Sequence, residues 1–197
     1  LANLTSTLRP AFAILGGMNT AVLVIDVQQG LCEGDGAAFE APQTIDRINQ
    51  VTARARAAGR PVIFVQHESR DGALVHDSAG WQLAQGLEAL PTDLRMRKTA
   101  ADSFHRTTLQ ELLQQHGITE LVICGMHSEF CVDTTTRRAL ALGYPVMLVE
   151  DAHTSAGNAA LSAPQVIAHH NITLSNIESF GPRVRLVSAA NVRFDGG

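Results

Sequence analysis

Apolar runs of strand length, each giving way to a polar or glycine position, set the rhythm of this chain. Residues 21–25 (AVLVI) end at Asp26, and residues 61–65 (PVIFV) lead into Gln66, His67 and Glu68. Residues 121–124 (LVIC) are broken by Gly125, and residues 145–149 (PVMLV) run into Glu150 and Asp151. Continuous apolar runs of this length predict strands covered on both faces, as in parallel sheets. Residues 94–97, ending at Lys98, are a shorter strand candidate, and residues 172–174 and 184–187 are two more. After Pro42, residues Ile45, Ile48, Val51 and Ala55 share one helical face, and Ala57-Ala58-Gly59 closes that helix. Leu109, Leu112 and Leu113 support a helix that stops at His116-Gly117, residues 130–143 turn helical again, and residues 159–169 look helical. Strands alternating with helices predict an α/β fold around a parallel sheet.

In such sheets ligands bind beyond the carboxyl ends of the strands. Asp26, His67, Lys98 and Cys131 all stand at or just after such ends. Cys131 also falls near a helix start, where unpaired N–H groups and the helix dipole favour an anion such as a thiolate. Taken alone, the position fits a small apolar core residue equally well. Residues 30–36 are glycine-rich but lack the spacing of a phosphate-binding loop. Residues 69–91 have no strong period and carry His76 and Trp81; a loop of that length in a compact domain is usually functional or covers a pocket.

Composition narrows the class. A chain of 197 residues with 45% hydrophobic and 17% charged residues predicts one globular domain, and the net charge of -4 gives no case for nucleic acid or an acidic membrane surface. No apolar run approaches the roughly 20 residues of a membrane span. Three cysteines without a C-x-x-C pair fit a reducing compartment, so a cytoplasmic location is expected. Residues 1–17 read as an upstream or cloning-derived extension and residues 18–197 as a single domain.

Three motifs carry a resemblance to a known family. They are Val24-Ile25-Asp26-Val27-Gln28, then Lys98 followed by Ser103-Phe104, then the run from Gly125 to Val132 (GMHSEFCV) followed by Thr135. In this order and at these separations, residues 20–188 resemble the isochorismatase-like cysteine hydrolases. The resemblance implies a Rossmann-like three-layer α/β/α fold with a six-stranded parallel sheet, and a catalytic triad at Asp26, Lys98 and Cys131. It implies a cis peptide bond between Met126 and His127, an oxyanion hole from the backbone N–H groups of His127 and Cys131, and a homodimer or higher homo-oligomer. Nicotinamidases of the superfamily bind a metal through an Asp-x-His pair; the matching positions here are His67 and Ser69, so neither metal nor cofactor is expected. His67 and His76 remain a weak alternative pair. Gln28, His67, Trp81, Phe104 and His127 are the substrate-binding candidates.

The roles follow from physical chemistry. A free thiol with a pKa of about 8.5 is only a few per cent thiolate at neutral pH. Lowering that pKa by about two units takes roughly 2.7 kcal/mol, of which a helix start supplies about 0.3–1 kcal/mol. Lys98 is expected to supply much of the rest, while Asp26 takes the thiol proton and passes it to a leaving nitrogen. A structural ion pair between the two is the lesser alternative. Members of the resembled family that hydrolyse the vinyl ether of isochorismate often lack the cysteine, so the resemblance implies, from Cys131 kept with Asp26 and Lys98, hydrolysis of a small-molecule C–N bond (amide, carbamoyl or lactam-like) through a thioester. The alternatives are vinyl ether hydrolysis of isochorismate, a non-catalytic binding or assembly protein, and a redox-sensing thiol.

Overall fold

The computed structural model describes residues 19–194. The expected extension over residues 1–17 lies outside the described residues. Six parallel strands form one sheet: β1 (Thr20–Ile25), β2 (Val62–His67), β3 (Leu94–Lys98), β4 (Glu120–Met126), β5 (Val146–Thr154) and β6 (Val184–Val187), in the order β3-β2-β1-β4-β5-β6. The helices are α1 (Gln29–Cys32), α2 (Ala41–Ala57), α3 (Leu109–Gln115), α4 (Asp133–Ala141) and α5 (Ala163–Ser175). This is the α/β architecture expected from the pattern.

Strand alternation divides the core in two. Ala21, Leu23 and Ile25 of β1 pack with Leu109, Leu113, Leu140 and Leu174 on one face of the sheet. Val22 and Val24 pack with Ile45, Ile48, Val51 and Ala55 of α2 on the other. Every residue of β1 is buried, which is why the run is continuously apolar. The edge strand β3 behaves differently: Arg95 and Arg97 face solvent while Met96 and Lys98 turn inward. The same period of two that buries Met96 carries Lys98 to the inside of the sheet's carboxyl edge.

One predicted element is corrected. Residues 172–174 belong to the last turn of α5, not to a strand. Ile172 is 63% exposed and Leu174 fully buried. Residues two apart share a face in a strand but point in opposite directions on a helix, so this pattern is helical. The helix also starts later than residue 159: Ser162 is its cap, with Gln165 Oε1 accepting the Ser162 N–H at 2.9 Å, and Pro164 stands in its first turn.

The order of strands reverses between β1 and β4, the position where parallel sheets open a crevice at their carboxyl edge. There Gly125 adopts φ 124°, and a Cβ on it would lie 2.0 Å from the Ile25 carbonyl oxygen. Only glycine lets the two central strands approach this closely. Beyond it β4 continues to Met126, the Met126–His127 peptide bond is cis as expected, and one π-helical turn (Ser128–Val132) leads into α4.

Candidate active site

Asp26 follows β1 with φ 52°, a left-handed conformation that Asp tolerates better than most side chains. Its N–H donates to the Val65 carbonyl at 2.8 Å, which ties the turn to β2. Lys98 ends β3 in register with His67 of β2. Only 2% of Lys98 is exposed, and its Nζ lies 2.6 Å from Asp26 Oδ2, 3.1 Å from Cys131 Sγ, 3.1 Å from the Ala100 carbonyl oxygen and 3.2 Å from His67 Nδ1. Three N–H groups thus serve four acceptors, so the ammonium is held on all sides. The structure brings Asp26, Lys98, Cys131 and His67 together at one point.

The family-like motif residues beyond these four hold the arrangement in place. Thr135 Oγ1 of α4 lies 2.9 Å from Ser103 Oγ and accepts the Ser103 N–H at 3.1 Å. The bonds tie the segment after Lys98 to the helix after Cys131, setting the distance between ammonium and sulfur. Behind the Met126–Cys131 turn, Ser128 Oγ lies 2.7 Å from His153 Nδ1, and His153 Nε2 lies 2.9 Å from Asn171 Oδ1 of α5. Burial drives the His153 ring down to about 4, so it is neutral at physiological pH.

The electrostatics differ from the expectation for a pre-formed thiolate. Burial pushes the Cys131 thiol up to about 12, the Asp26 carboxylate adds to the shift, and the Lys98 ammonium opposes both without prevailing. The lysine is already paired with Asp26, so the cation reaches the sulfur with its charge largely offset. Cys131 is therefore a neutral thiol at rest, beside a carboxylate able to take its proton. Cys124 is also pushed up to about 12 by burial, inside β4.

A pocket of about 280 Å³ opens on the cluster, lined by Asp26, Leu31, His67, Leu74, Ala101, Met126, His127, Phe130 and Cys131. Its walls are mostly apolar, and Leu74 is contributed by the loop over residues 69–91, which therefore covers the site. Two buried polar atoms of the lining have no hydrogen-bond partner among the described residues: Asp26 Oδ1 and His127 Nε2. Burial lowers the His127 pKa, with Glu129 and Asp26 opposing, and lowers that of His67, with Lys98 reinforcing.

Of the substrate-binding candidates, His67 and His127 line this pocket; three others do different work. Gln28 is fully buried: its Nε2 donates to the carbonyls of His67 at 3.0 Å and Trp81 at 2.9 Å, and its Oε1 accepts the His67 N–H at 2.8 Å. It is a clamp joining β1, β2 and the covering loop. Phe104 belongs to the core, stacked on Tyr144 with ring centroids 6.3 Å apart. Trp81 meets the edge of His76 at 4.7 Å and serves the site only through its carbonyl, which also receives Gln66 Nε2 at 3.0 Å. Leu31 in the single turn of α1, Leu74 at the end of a 3-10 turn and Ala101 after β3 escaped sequence reasoning because segments this short carry no periodic signal. Met126 and Phe130 flank candidate residues within one motif, which was the available clue.

Asp26, His67 and Cys131 place potential ligand atoms within 4.8 Å of one another. Lys98 Nζ already sits among these three acceptors, so the set holds an ammonium where a metal ion would compete for the same atoms. His76 lies outside the set, with its Nε2 2.7 Å from Arg97 NH1. Among the described residues no helix is long and apolar enough to cross a membrane.

Residues 20–172 match the Isochorismatase domain. The chain is 42% identical over 136 residues to a streptothricin hydrolase of Streptomyces noursei, an alignment covering 68% of this chain and 49% of that protein. The chain spans about half the length of the two streptothricin hydrolases of Streptomyces noursei that it matches. A ureidoacrylate amidohydrolase RutB of Variovorax paradoxus (strain S110) is 28% identical over 210 residues, covering 87% of this chain and 80% of the relative. A solved structure of an isochorismatase family protein superposes with a TM-score of 0.79 at 36% identity, covering 86% of this chain and 98% of the other. By the match over residues 20–172, with the sheet order of its fold in agreement, the chain belongs to the isochorismatase family.

Proposed function

We propose that the protein hydrolyses a C–N bond of a small uncharged amide, carbamoyl compound or lactam through a thioester on Cys131. The observation that carries this reading is the Lys98 ammonium held 2.6 Å from Asp26 Oδ2 and 3.1 Å from Cys131 Sγ, behind the mostly apolar wall of the pocket on which Asp26 and Cys131 open. Asp26 removes the thiol proton as sulfur attacks the carbonyl carbon, and the N–H groups of His127 and Cys131 receive the developing oxyanion. The tetrahedral intermediate collapses as Asp26 returns the proton to the leaving nitrogen and the C–N bond breaks. Water, deprotonated by Asp26, then attacks the thioester and releases the acid, and the proton returns to sulfur. Lys98 holds Asp26 Oδ2 at 2.6 Å and stabilises the thiolate as it forms. A raised thiol pKa suits this sequence, because the nucleophile is generated only when a substrate is there to receive it.

Amidohydrolase relatives support the C–N choice, and so does the charge of the pocket. Its walls hold no arginine or lysine, and the lysine behind them is already paired with Asp26. A dianionic vinyl ether such as isochorismate would lie against the Asp26 carboxylate in a wall that, among the described residues, offers no arginine or lysine; Arg70 lines the adjoining pocket beside His67. Ammonia release from uncharged primary amides, and the ring-opened amino acid from lactams, test the reading. Cys131→Ala should lose at least about 10⁴-fold in turnover, as removal of a covalent nucleophile does, and the intact enzyme should show a mass adduct on Cys131 when quenched. Full activity of Cys131→Ala on amides would sink the proposal. Turnover of isochorismate that survives Cys131→Ser but not Asp26→Asn would establish the vinyl ether reading instead. Assembly as a homodimer or higher homo-oligomer belongs to the same proposal, and sedimentation of the purified chain measures it.

A further inference from the structure

The imidazole of His127 is left over by the proposed chemistry. The proton moves between Cys131, Asp26 and the leaving nitrogen, and position 127 contributes only its backbone N–H. Yet its ring lines the pocket, half-buried, tilted against Phe130 with ring centroids 6.5 Å apart. Its Nε2 is buried with no partner among the described residues. Two neighbouring imidazoles differ: His67 Nδ1, at the pocket, faces Lys98 at 3.2 Å, and His153, in the layer behind, has both nitrogens engaged. A buried polar atom without a partner costs stability that folding would ordinarily avoid, unless a ligand satisfies it.

The rest of the wall sharpens what that ligand is. Leu31, Leu74, Ala101, Met126 and Phe130 offer only apolar contact, and Phe130 remains 58% exposed at the rim. Desolvation keeps the His127 ring neutral at physiological pH, so it exchanges a hydrogen bond rather than a charge. The second unpartnered atom, Asp26 Oδ1, lies on the residue proposed to handle the scissile nitrogen.

We propose that His127 determines specificity: its ring hydrogen-bonds a neutral polar group, such as a hydroxyl or a second amide, on a substrate whose apolar body rests against Phe130 and Leu74. This rests on the amide hydrolase reading above and adds to it the class of substrate preferred, an uncharged amide carrying one further hydrogen-bonding group. A site built to pair a polar group discriminates strongly against the analogue that lacks it, because its own atom is then left unpaired.

Two isosteric pairs probe this: glycolamide against propionamide, and mandelamide against 2-phenylpropionamide, each exchanging a hydroxyl for a methyl. The wild-type protein should prefer the hydroxylated member in kcat/KM by about 10–100-fold. His127→Leu should bring the hydroxylated-to-methyl ratio of kcat/KM to near one, whatever its effect on absolute turnover, and His127→Asn should restore part of that ratio. An unchanged ratio in His127→Leu, or an equal loss on both members of a pair, overturns the proposal. Binding to the Cys131→Ser variant, read from the His127 ring nitrogen resonances, separates this from failure of the hydrolase reading. Ring shifts with mandelamide but not with 2-phenylpropionamide sustain the recognition role even without turnover; no ring shift with any hydroxylated probe overturns it.

Discussion

Residues 126–131 look onto two polar regions that handle burial in opposite ways. Toward the pocket stand Asp26, Lys98, Cys131 and His127, crowded with charge and leaving Asp26 Oδ1 and His127 Nε2 unpartnered among the described residues. Away from the pocket stand Ser128, His153 and Asn171, uncharged and bonded to one another, with Asn171 Nδ2 closing the chain on the Glu150 carbonyl at 3.0 Å. Both regions contain a histidine whose pKa is lowered by burial. Pairing distinguishes them: Ser128, His153 and Asn171 are bonded to one another, whereas beside the pocket Asp26 Oδ1 and His127 Nε2 have no partner among the described residues and are open to a ligand.

The comparison can be broken by substitution. The largest stability effect is expected at the charged region: Lys98→Met strands the buried Asp26 carboxylate and should cost about 3–5 kcal/mol in urea unfolding at neutral pH. A loss under about 1 kcal/mol would mean that the pair is far less desolvated than its burial indicates. On the scaffold side the lever is pH. The His153 pKa falls from 6.5 in the unfolded chain to about 4 in the folded one, so the unfolded state takes up the proton first as pH drops. Its contribution is complete above pH 6.5 and is lost as pH falls toward 4, for a total of about 3 kcal/mol. Unfolding measured across this range should show a shallower slope for His153→Gln than for wild type; identical slopes would refute the assignment.

Ser128→Ala leaves His153 Nδ1 buried without its partner, and a loss of about 1–3 kcal/mol is expected from thermal or chemical unfolding. Because that hydroxyl faces away from the pocket, KM for an amide should move less than Tm. The smallest effect separates core from pocket: Phe104→Leu should lower stability by about 1 kcal/mol through lost packing, with KM unchanged. A changed KM with unaltered stability would return Phe104 to the substrate wall.

The sheet was readable because its strands are covered on both faces, which prints continuous apolar runs at residues 21–25 and 121–124. Residues 172–174 were misread as a strand because three residues cannot distinguish a period of two from one of 3.6 when the helix around them is weakly amphipathic. Gln28 and Phe104 stand inside the family-like motifs, yet one is a clamp and the other core. Motif membership marks a residue as constrained without saying whether ligand or neighbour constrains it.

Asp26, Lys98 and Cys131 were legible as strand-end residues of the right chemistry, since a parallel sheet brings its carboxyl ends to one edge whatever the loops do. Only the tertiary structure decided how they sit. Lys98 is turned inward by the alternation of an edge strand, bonded to Asp26 as well as to sulfur, and the thiol beside it is buried enough to be neutral at rest. Pairing and desolvation depend on atoms from four strand ends arriving within about 3 Å of one another. A linear pattern names those atoms but cannot set their distances. That is why the sequence identifies the residues of this site, and the packed structure sets their protonation and leaves His127 facing the pocket with a hydrogen bond still to make.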